Sequence, residues 1–400
     1  MFPPRSHSGD RFRDITRLVP VHAFWSTPSR RVLTVALAAL SIWVFAFKAA
    51  ERMPDFEVYW RAGTRAMAAG PLYRVDDGHF AFKYLPAFAV LAAPVGLLPQ
   101  RIAKAIWFAA SVFLLVALLP MAVKLLPERR KPAWALYLIV IVALGKFYGH
   151  EIVLGQVNLL LAVISTGALR AIKSGREPLA GGLIVLAIVI KPYAAIFLPW
   201  LVARGRLPSI ATAAAGIAIV LALPAVLYGW SGNIVQHQAW WNMVTSTTTP
   251  NLLNVDNVSL SSVWARIFGT GETATGFAIA TSLLLLAIAG VVMLLRRRVT
   301  FPDGLEGGML LTLIPLLSPQ GWDYVFLLST PAIVYLANYE DRLPGALRAA
   351  TIMAIAAIGL SIFDLMGRAA YRTFMEASMI TWLFLVVIAA LVALRAGKVA

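Results

Sequence analysis

Apolar segments of spanning or near-spanning length recur from one end of the chain to the other, and no other feature limits the fold as much. They occupy residues 32–50, 102–126, 134–148, 153–169, 179–190 with 194–203, 210–228, 274–295, 305–317, 325–336, 347–363 and 380–394. Inside a bilayer every backbone N–H and C=O must be satisfied within the chain, so runs of this kind fold as helices. Of the 400 residues, 60% are hydrophobic and only 14% charged, as suits a chain whose solvent is largely lipid. The expected fold class is an all-α polytopic membrane protein with about 10–12 transmembrane or re-entrant helices, several shorter than ~20 residues and hence tilted, kinked or re-entrant.

The 35 Lys and Arg against 19 Asp and Glu give a net charge of +16, which in a soluble chain would suggest nucleic acid. Here the basic residues fall in short clusters between apolar segments, so a positive-inside topology explains them and no nucleic-acid partner is expected. With a cytoplasmic N-terminal tail at 1–31, one side receives Lys124 to Lys131, Arg170 to Arg176, Arg204 and Arg206, Arg296 to Arg298, Arg342 and Arg348, and Arg395 and Lys398. No small-residue cleavage site follows 32–50, which reads as a retained first helix. Residues 32–400 form one polytopic domain, with extracytoplasmic loops at 51–85 and 229–272. Lys191 and Pro192 interrupt an apolar stretch, and the proline removes a backbone donor, so two half-helices meet there. The run 86–98, apolar and bounded by prolines, reads as a short helix in the outer interface.

The polar residues that this topology leaves outside define a candidate site. In the run MPDFEVYW, Asp55 follows a proline just beyond the first apolar segment, where a carboxylate can take a proton from a substrate hydroxyl. Tyr59 offers a face to a sugar ring, and Arg61 and Arg65 offer guanidinium groups to phosphate oxygens. An acid behind a proline is also an ordinary helix start. In GHEIVLGQVNLLL, His150 and Glu151 read as a helix start, with Gln156 and Asn158 one to two turns into the membrane, lining a polar cavity or bonding neighbouring helices. Lys191 must snorkel, pair or meet an anion. In SPQGWDY, Trp322 and Asp323 open the next helix, Asp323 being either a second polar wall or an acid favoured by the helix dipole. The long uncharged loop with Trp240 and Trp241 suits sugar hydroxyls or an interfacial belt equally.

The chain has no cysteine, and there is no phosphate-binding glycine loop, dinucleotide fingerprint or HExxH, so the sequence gives no reason for a nucleotide cofactor or a zinc ion, and no metal-ligating residues are assigned. A multi-spanning chain with an acid just after its first helix resembles a GT-C-type glycosyltransferase. The order DFEVYWRAG, FKYLPAFA, GQVNLLL, KP in an apolar stretch and SPQGWDY resembles glycosyltransferase family 87, which includes polyprenyl-phosphate-mannose-dependent mannosyltransferases. Tyr324 stands where many relatives carry a histidine. The resemblance implies that Asp55 is the catalytic base and that Lys83, Tyr84 and Lys191 line the donor site. It also implies a polyprenyl-phosphate sugar donor, most readily mannose, a glycolipid or glycan acceptor, and a site on the outer face of the plasma membrane among membrane lipids.

A transporter or flippase for a lipid or anionic solute is the alternative; paired inverted repeats with matching broken helices would mark it, and only one broken segment is evident. A non-catalytic scaffold would leave the outward clustering of charge and aromatics without a purpose. The topology has a direct check. A reporter fused at Arg130 is expected on the cytoplasmic side and one placed near Trp241 is not; a cytoplasmic signal at Trp241 would overturn the orientation.

Overall fold

The structure is a computed structural model and describes residues 39, 41–294 and 301–397. The chain divides into two units, Met1–Lys48 and Ala49–Ala400. Of the first, only residues 39 and 41–48 are described, and they are helical. The tail 1–31, most of the apolar segment 32–50, Arg296 to Arg298 and Lys398 lie outside the described residues.

The second unit is helical, and its described residues include no strand beyond one isolated antiparallel bridge between Asn257 and Trp322. In order, the helices are α1 Pro54–Met67, α2 Pro86–Gly96, α3 Gln100–Val123, α4 Ala133–Leu154, α5 Asn158–Lys173 and α6 Glu177–Ile190. A 3-10 turn at Pro192–Ile196 leads into α7 Phe197–Ala203, followed by α8 Leu207–Ala222, α9 Ala225–Asn251, α10 Leu260–Phe268, α11 Glu272–Leu294 and α12 Asp303–Leu317. The 3-10 segment Asp323–Ser329 runs into α13 Thr330–Tyr339, and α14 Gly345–Leu360, α15 Phe363–Met366, α16 Arg368–Glu376 and α17 Met379–Ala396 complete the chain.

Four of these, α3, α4, α11 and α17, are long and apolar enough to cross a bilayer, and α8 with α9 makes a fifth if the pair, bent by 86°, is one span. The other apolar helices are shorter, among them α2, α6, α14 and the stretch Pro192–Ala203. This is an all-α polytopic membrane protein. Its span-length helices show apolar outward faces, as lipid contact demands: on α11, Phe277, Ile279, Leu283, Leu284, Val291 and Leu294 are all exposed. The opposite holds for α12 and the segment from Asp323 through α13, where nearly every residue is buried, as expected of a helix apolar on all sides at the centre of a bundle.

Two helix breaks follow from local chemistry. Lys191 leaves α6 in an extended conformation (φ −141°, ψ 114°) ahead of Pro192, as its sequence suggests. The end of α4 is set by Gly155, whose φ of 71° suits a residue without Cβ; the Gln156 N–H then closes on the Glu151 carbonyl at 3.0 Å. Residues 229–272, read from sequence as a long loop, are instead largely helical in α9 and α10. Hydroxyls that could have competed with the helix bond its own carbonyls four residues back, Thr245 to Trp241 at 2.8 Å and Thr247 to Met243 at 2.7 Å.

Polar groups collect at the two ends of the buried hairpin. At one end Glu306, fully buried on α12, accepts from Trp200 Nε1 (2.8 Å), Arg204 Nε (2.9 Å) and Arg395 Nε (2.7 Å), and so ties α7, α12 and α17 together. Arg206 bridges Glu177 (2.7 Å) and Asp303 (3.0 Å), and Lys173 donates to the carbonyls of Lys124, Leu125 and Leu126 that end α3. The loop basic residues that suggested one membrane side thus meet acids and helix ends at one pole. A carboxylate shared by two buried guanidinium groups is costly to remove, since both charges remain without it. Glu306→Gln is therefore expected to cost about 3–5 kcal/mol of stability, read as a large drop in the unfolding midpoint of detergent-solubilised protein. Glu376→Gln, in the exposed Arg372–Glu376 pair, should leave the midpoint unchanged; equal drops would mean the buried cluster is not a structural lock.

Candidate functional site

At the other pole, α1 begins abruptly. Met53, fully buried, takes a left-handed conformation (φ 49°), Pro54 supplies the first helical position, and Asp55 follows within the first turn. The unsatisfied N–H groups there favour a carboxylate. Asp55 is half-buried, and this desolvation raises its carboxyl above the usual carboxylate range. Opposing that rise are a hydrogen bond from the Gln156 amide and the positive charges of Lys191, His79 and His150. Such a group can accept a proton at neutral pH yet is more basic than an exposed aspartate.

One turn on, Tyr59 is buried and donates to Gln156 Oε1 at 2.7 Å, while the hydroxyls of Tyr59 and Tyr84 lie 2.8 Å apart. The Tyr84 hydroxyl also lies 3.3 Å from Gln156 Oε1, so the two phenols and the amide oxygen form one hydrogen-bonded cluster. Burial pushes both phenols well above their ordinary pKa and keeps them neutral. Gln156 Nε2 donates in turn to Tyr324 Oη at 3.1 Å. One amide in the link between α4 and α5 thereby holds three tyrosines from three segments beside Asp55.

The break that frees Gln156 is held by Glu151. Fully buried, Glu151 accepts from Asn158 Nδ2 at 2.7 Å and from the Leu159 N–H at 3.0 Å, capping α5 across the gap. Sequence placed His150 and Glu151 at a helix start; they lie in the last turn of α4, because the left-handed Gly155 ends that helix after them. Gln156 precedes α5 and Asn158 opens it, whereas sequence placed both within a helix. Lys191 comes from the second break. Its ammonium makes no hydrogen bond among the described residues, and the charges acting on it are those of Glu151 and Asp55.

The third break is the tip of the buried hairpin. Val258 N–H donates to the Gly321 carbonyl (2.7 Å), Asp323 N–H to the Asp256 carbonyl (3.0 Å), and Asn257 Nδ2 to the Pro319 carbonyl (2.9 Å). A Cβ at Gly321 would collide with the Pro315 carbonyl, so only glycine makes this turn. The tip presents Gln320 to Lys83 Nζ at 3.3 Å, Trp322 to the His79 ring at 6.2 Å, and Asp323 to His150 Nδ1 at 3.5 Å. Lys83 is lowered from the usual lysine range by burial, against the charge of Asp55. Helix α9 closes this side: Trp240 Nε1 donates to the Lys83 carbonyl at 3.1 Å, and Gln236 accepts from the Leu72 N–H at 3.4 Å.

Of the residues expected from sequence, Asp55, Tyr59, Lys83, Tyr84, His150, Glu151, Gln156, Asn158, Lys191, Trp322 and Asp323 belong to this polar group, Glu151 and Asn158 largely spent on each other. Arg61 and Arg65 are turned elsewhere. Arg65 grips Asp77 through two bonds of 2.5 and 2.8 Å, holding that carboxyl below the usual range, and Arg61 lies 3.8 Å from the same acid. Glu57 is bound by Lys104 at 2.7 Å, and the same ammonium holds the Arg52 carbonyl at 3.0 Å. Sequence reasoning missed Lys104, His79 and Gln320; a lone lysine in the first turns of the apolar run RIAKAIWF was the available signal for the first. Trp241 is exposed and lines a separate open concavity of about 620 Å³ with Leu221, Asn233, Ile234, His237, Gln238 and Asn242, none of them in the Asp55 group.

The family model described as glycosyltransferase family 87 matches residues 82–319, more than half of the chain. The matched stretch includes Lys83, Tyr84, His150 to Asn158 and Lys191; Asp55 precedes it, and Trp322 and Asp323 follow it. No curated protein matches the chain.

Proposed function

We propose a specific reaction from the premise that the chain belongs to glycosyltransferase family 87, which makes it a membrane glycosyltransferase. The donor is a polyprenyl-phosphate hexose, most readily mannose, and the acceptor is a hydroxyl of a glycolipid or glycan. The site opens on the extracytoplasmic side of the plasma membrane, in a GT-C-type architecture. Asp55 takes the proton of the acceptor hydroxyl, the oxygen attacks the anomeric carbon with inversion, and the lipid phosphate departs. Lys191 and Lys83 stabilise the negative charge that grows on that phosphate. Arg61 and Arg65, both paired with Asp77, take no part in this step.

A single observation carries this reading: an oriented, half-buried carboxylate at a helix N-terminus beside a lysine ammonium that has no hydrogen-bond partner among the described residues. A base and an unsatisfied cation facing one space suit an acceptor hydroxyl and a phosphate. The aromatic surround of Tyr59, Tyr84 and Phe88, with ring centroids 5.0 to 5.5 Å apart, suits a sugar ring.

Asp55→Asn preserves size and removes the proton acceptor, so transfer should fall by about 100-fold or more while donor binding survives. The wild-type rate should fall as pH drops through the raised pKa of Asp55, at higher pH than for an exposed aspartate, since only the ionised form accepts a proton. Glu57→Gln should be the milder change, because Lys104 holds that carboxylate. Near-normal turnover by Asp55→Asn would sink the assignment.

Lys191→Met should weaken donor binding about tenfold, the worth of one charge-assisted hydrogen bond, with little loss of folded protein. Unchanged donor affinity would return Lys191 to a snorkelling role.

A further inference from the structure

The polar group contains a second oriented titratable pair that the reaction above does not use. His150 Nδ1 lies 3.5 Å from Asp323 Oδ1. The Asp323 side chain is 3% exposed, whereas that of His150 is 40% exposed. Apart from His150, Oδ1 of Asp323 has no partner among the described residues. Tyr324 packs edge-on against the imidazole, with centroids 5.1 Å apart at 83°, and its hydroxyl is bound by the same Gln156 that holds Tyr59 beside Asp55. A buried carboxylate behind one ring nitrogen and an aromatic ring at its side fix the imidazole's direction. Nε2 is left facing away from Asp323.

We propose that His150, oriented by Asp323, is the general acid that protonates the departing lipid phosphate. This rests on the transferase reading above. The bookkeeping of atoms closes. The acceptor O–H gives its proton to Asp55, and the acceptor oxygen bonds to the anomeric carbon. The bond from that carbon to the phosphate oxygen breaks with its electron pair on oxygen, and that oxygen takes the proton from His150 Nε2. Asp55 then loses its proton and His150 regains one through solvent, so the cycle ends as it began. A phosphate monoester takes up its second proton near pH 6, close to the ordinary imidazole pKa, so the transfer is matched in energy. Lys191 and Lys83 supply positive charge to the phosphate, and the ring nitrogen backed by a buried carboxylate is that of His150. The carboxylates that act on the ring come from three other segments, Asp323, Asp256 and Asp55.

The test is the pH dependence of kcat with two donors, one a polyprenyl phosphodiester of the sugar and the other an aryl phosphodiester, whose more acidic phosphate departs without help. His150→Gln should lower kcat about 100-fold with the polyprenyl donor, abolish the fall in rate at alkaline pH, leave KM within a few-fold and lose far less with the aryl donor. Asp323→Asn should keep the alkaline limb but move it to lower pH, because the carboxylate that holds the proton on His150 is gone. Asp55→Asn should lose activity equally with both donors. An alkaline limb that persists unmoved in His150→Gln, or equal losses with both donors, would overturn the general-acid role while leaving the transferase reading intact. Absence of transfer by the wild type from either donor would overturn both.

Discussion

In a lipid solvent every interruption of a helix must be compensated within the protein, and this fold places three of its interruptions around one space. The breaks at Gly155 to Val157, at Lys191 and Pro192, and at Ser318 to Trp322 each end or restart an apolar helix. Each is compensated differently: a buried glutamate caps the first, the Ala187 carbonyl and the Ala194 N–H meet the Lys191 backbone at the second, and a strand-like pairing with 256–258 holds the third. Of the polar side chains released there, Gln156 and Lys191 act on Asp55 in the first turn of α1, and Asp323 joins the group through His150. Irregular backbone and the candidate chemistry share one location because at membrane depth both are tolerated only where protein or a water-filled cavity surrounds them.

The far pole is where stiffness is concentrated. Glu306 joins α7, α12 and α17, and α7 is the returning half of the segment that begins at Lys191. The centrally buried hairpin, α12 with Asp323 through α13, has Glu306 in the first turns of one arm and the Gly321 to Asp323 tip at its other end. A lock at one end of rigid helices therefore bears on where the groups at the other end stand. Precision of about 0.5 Å in a catalytic group demands such support.

What the sequence showed depended on how local the cause was. Apolar length, Pro192 after Lys191 and the prolines around 86–98 act on their own neighbours, and among the described residues the helices Pro86–Gly96 and Gln100–Val123 and the break at Lys191 are where those residues imply. The end of α4 was misread although Gly155 was visible, because an acid and a histidine before an apolar run look like a helix start. Tertiary pairing was out of reach: nothing in the spacing says that Arg65 meets Asp77 across a turn, or that Lys104 reaches back to Glu57. The helical state of 229–272 was hidden for a compositional reason, since Thr, Ser and Asn favour loops unless their side chains bond the helix's own carbonyls, as those of Thr245 and Thr247 do. The candidate site was legible as a set of residues, and its division into a base, a tyrosine clamp and structural caps was not.

The most direct measurement follows the sugar itself. Membranes carrying the protein would be incubated with a polyprenyl phosphate bearing a labelled hexose, and the lipid products separated and their anomeric configuration determined. Label appearing in a larger glycolipid or glycan, with configuration opposite to that of the donor, is the expected result. Label that crosses the membrane still attached to its original lipid phosphate, with no new product, would contradict transfer and point to a transporter.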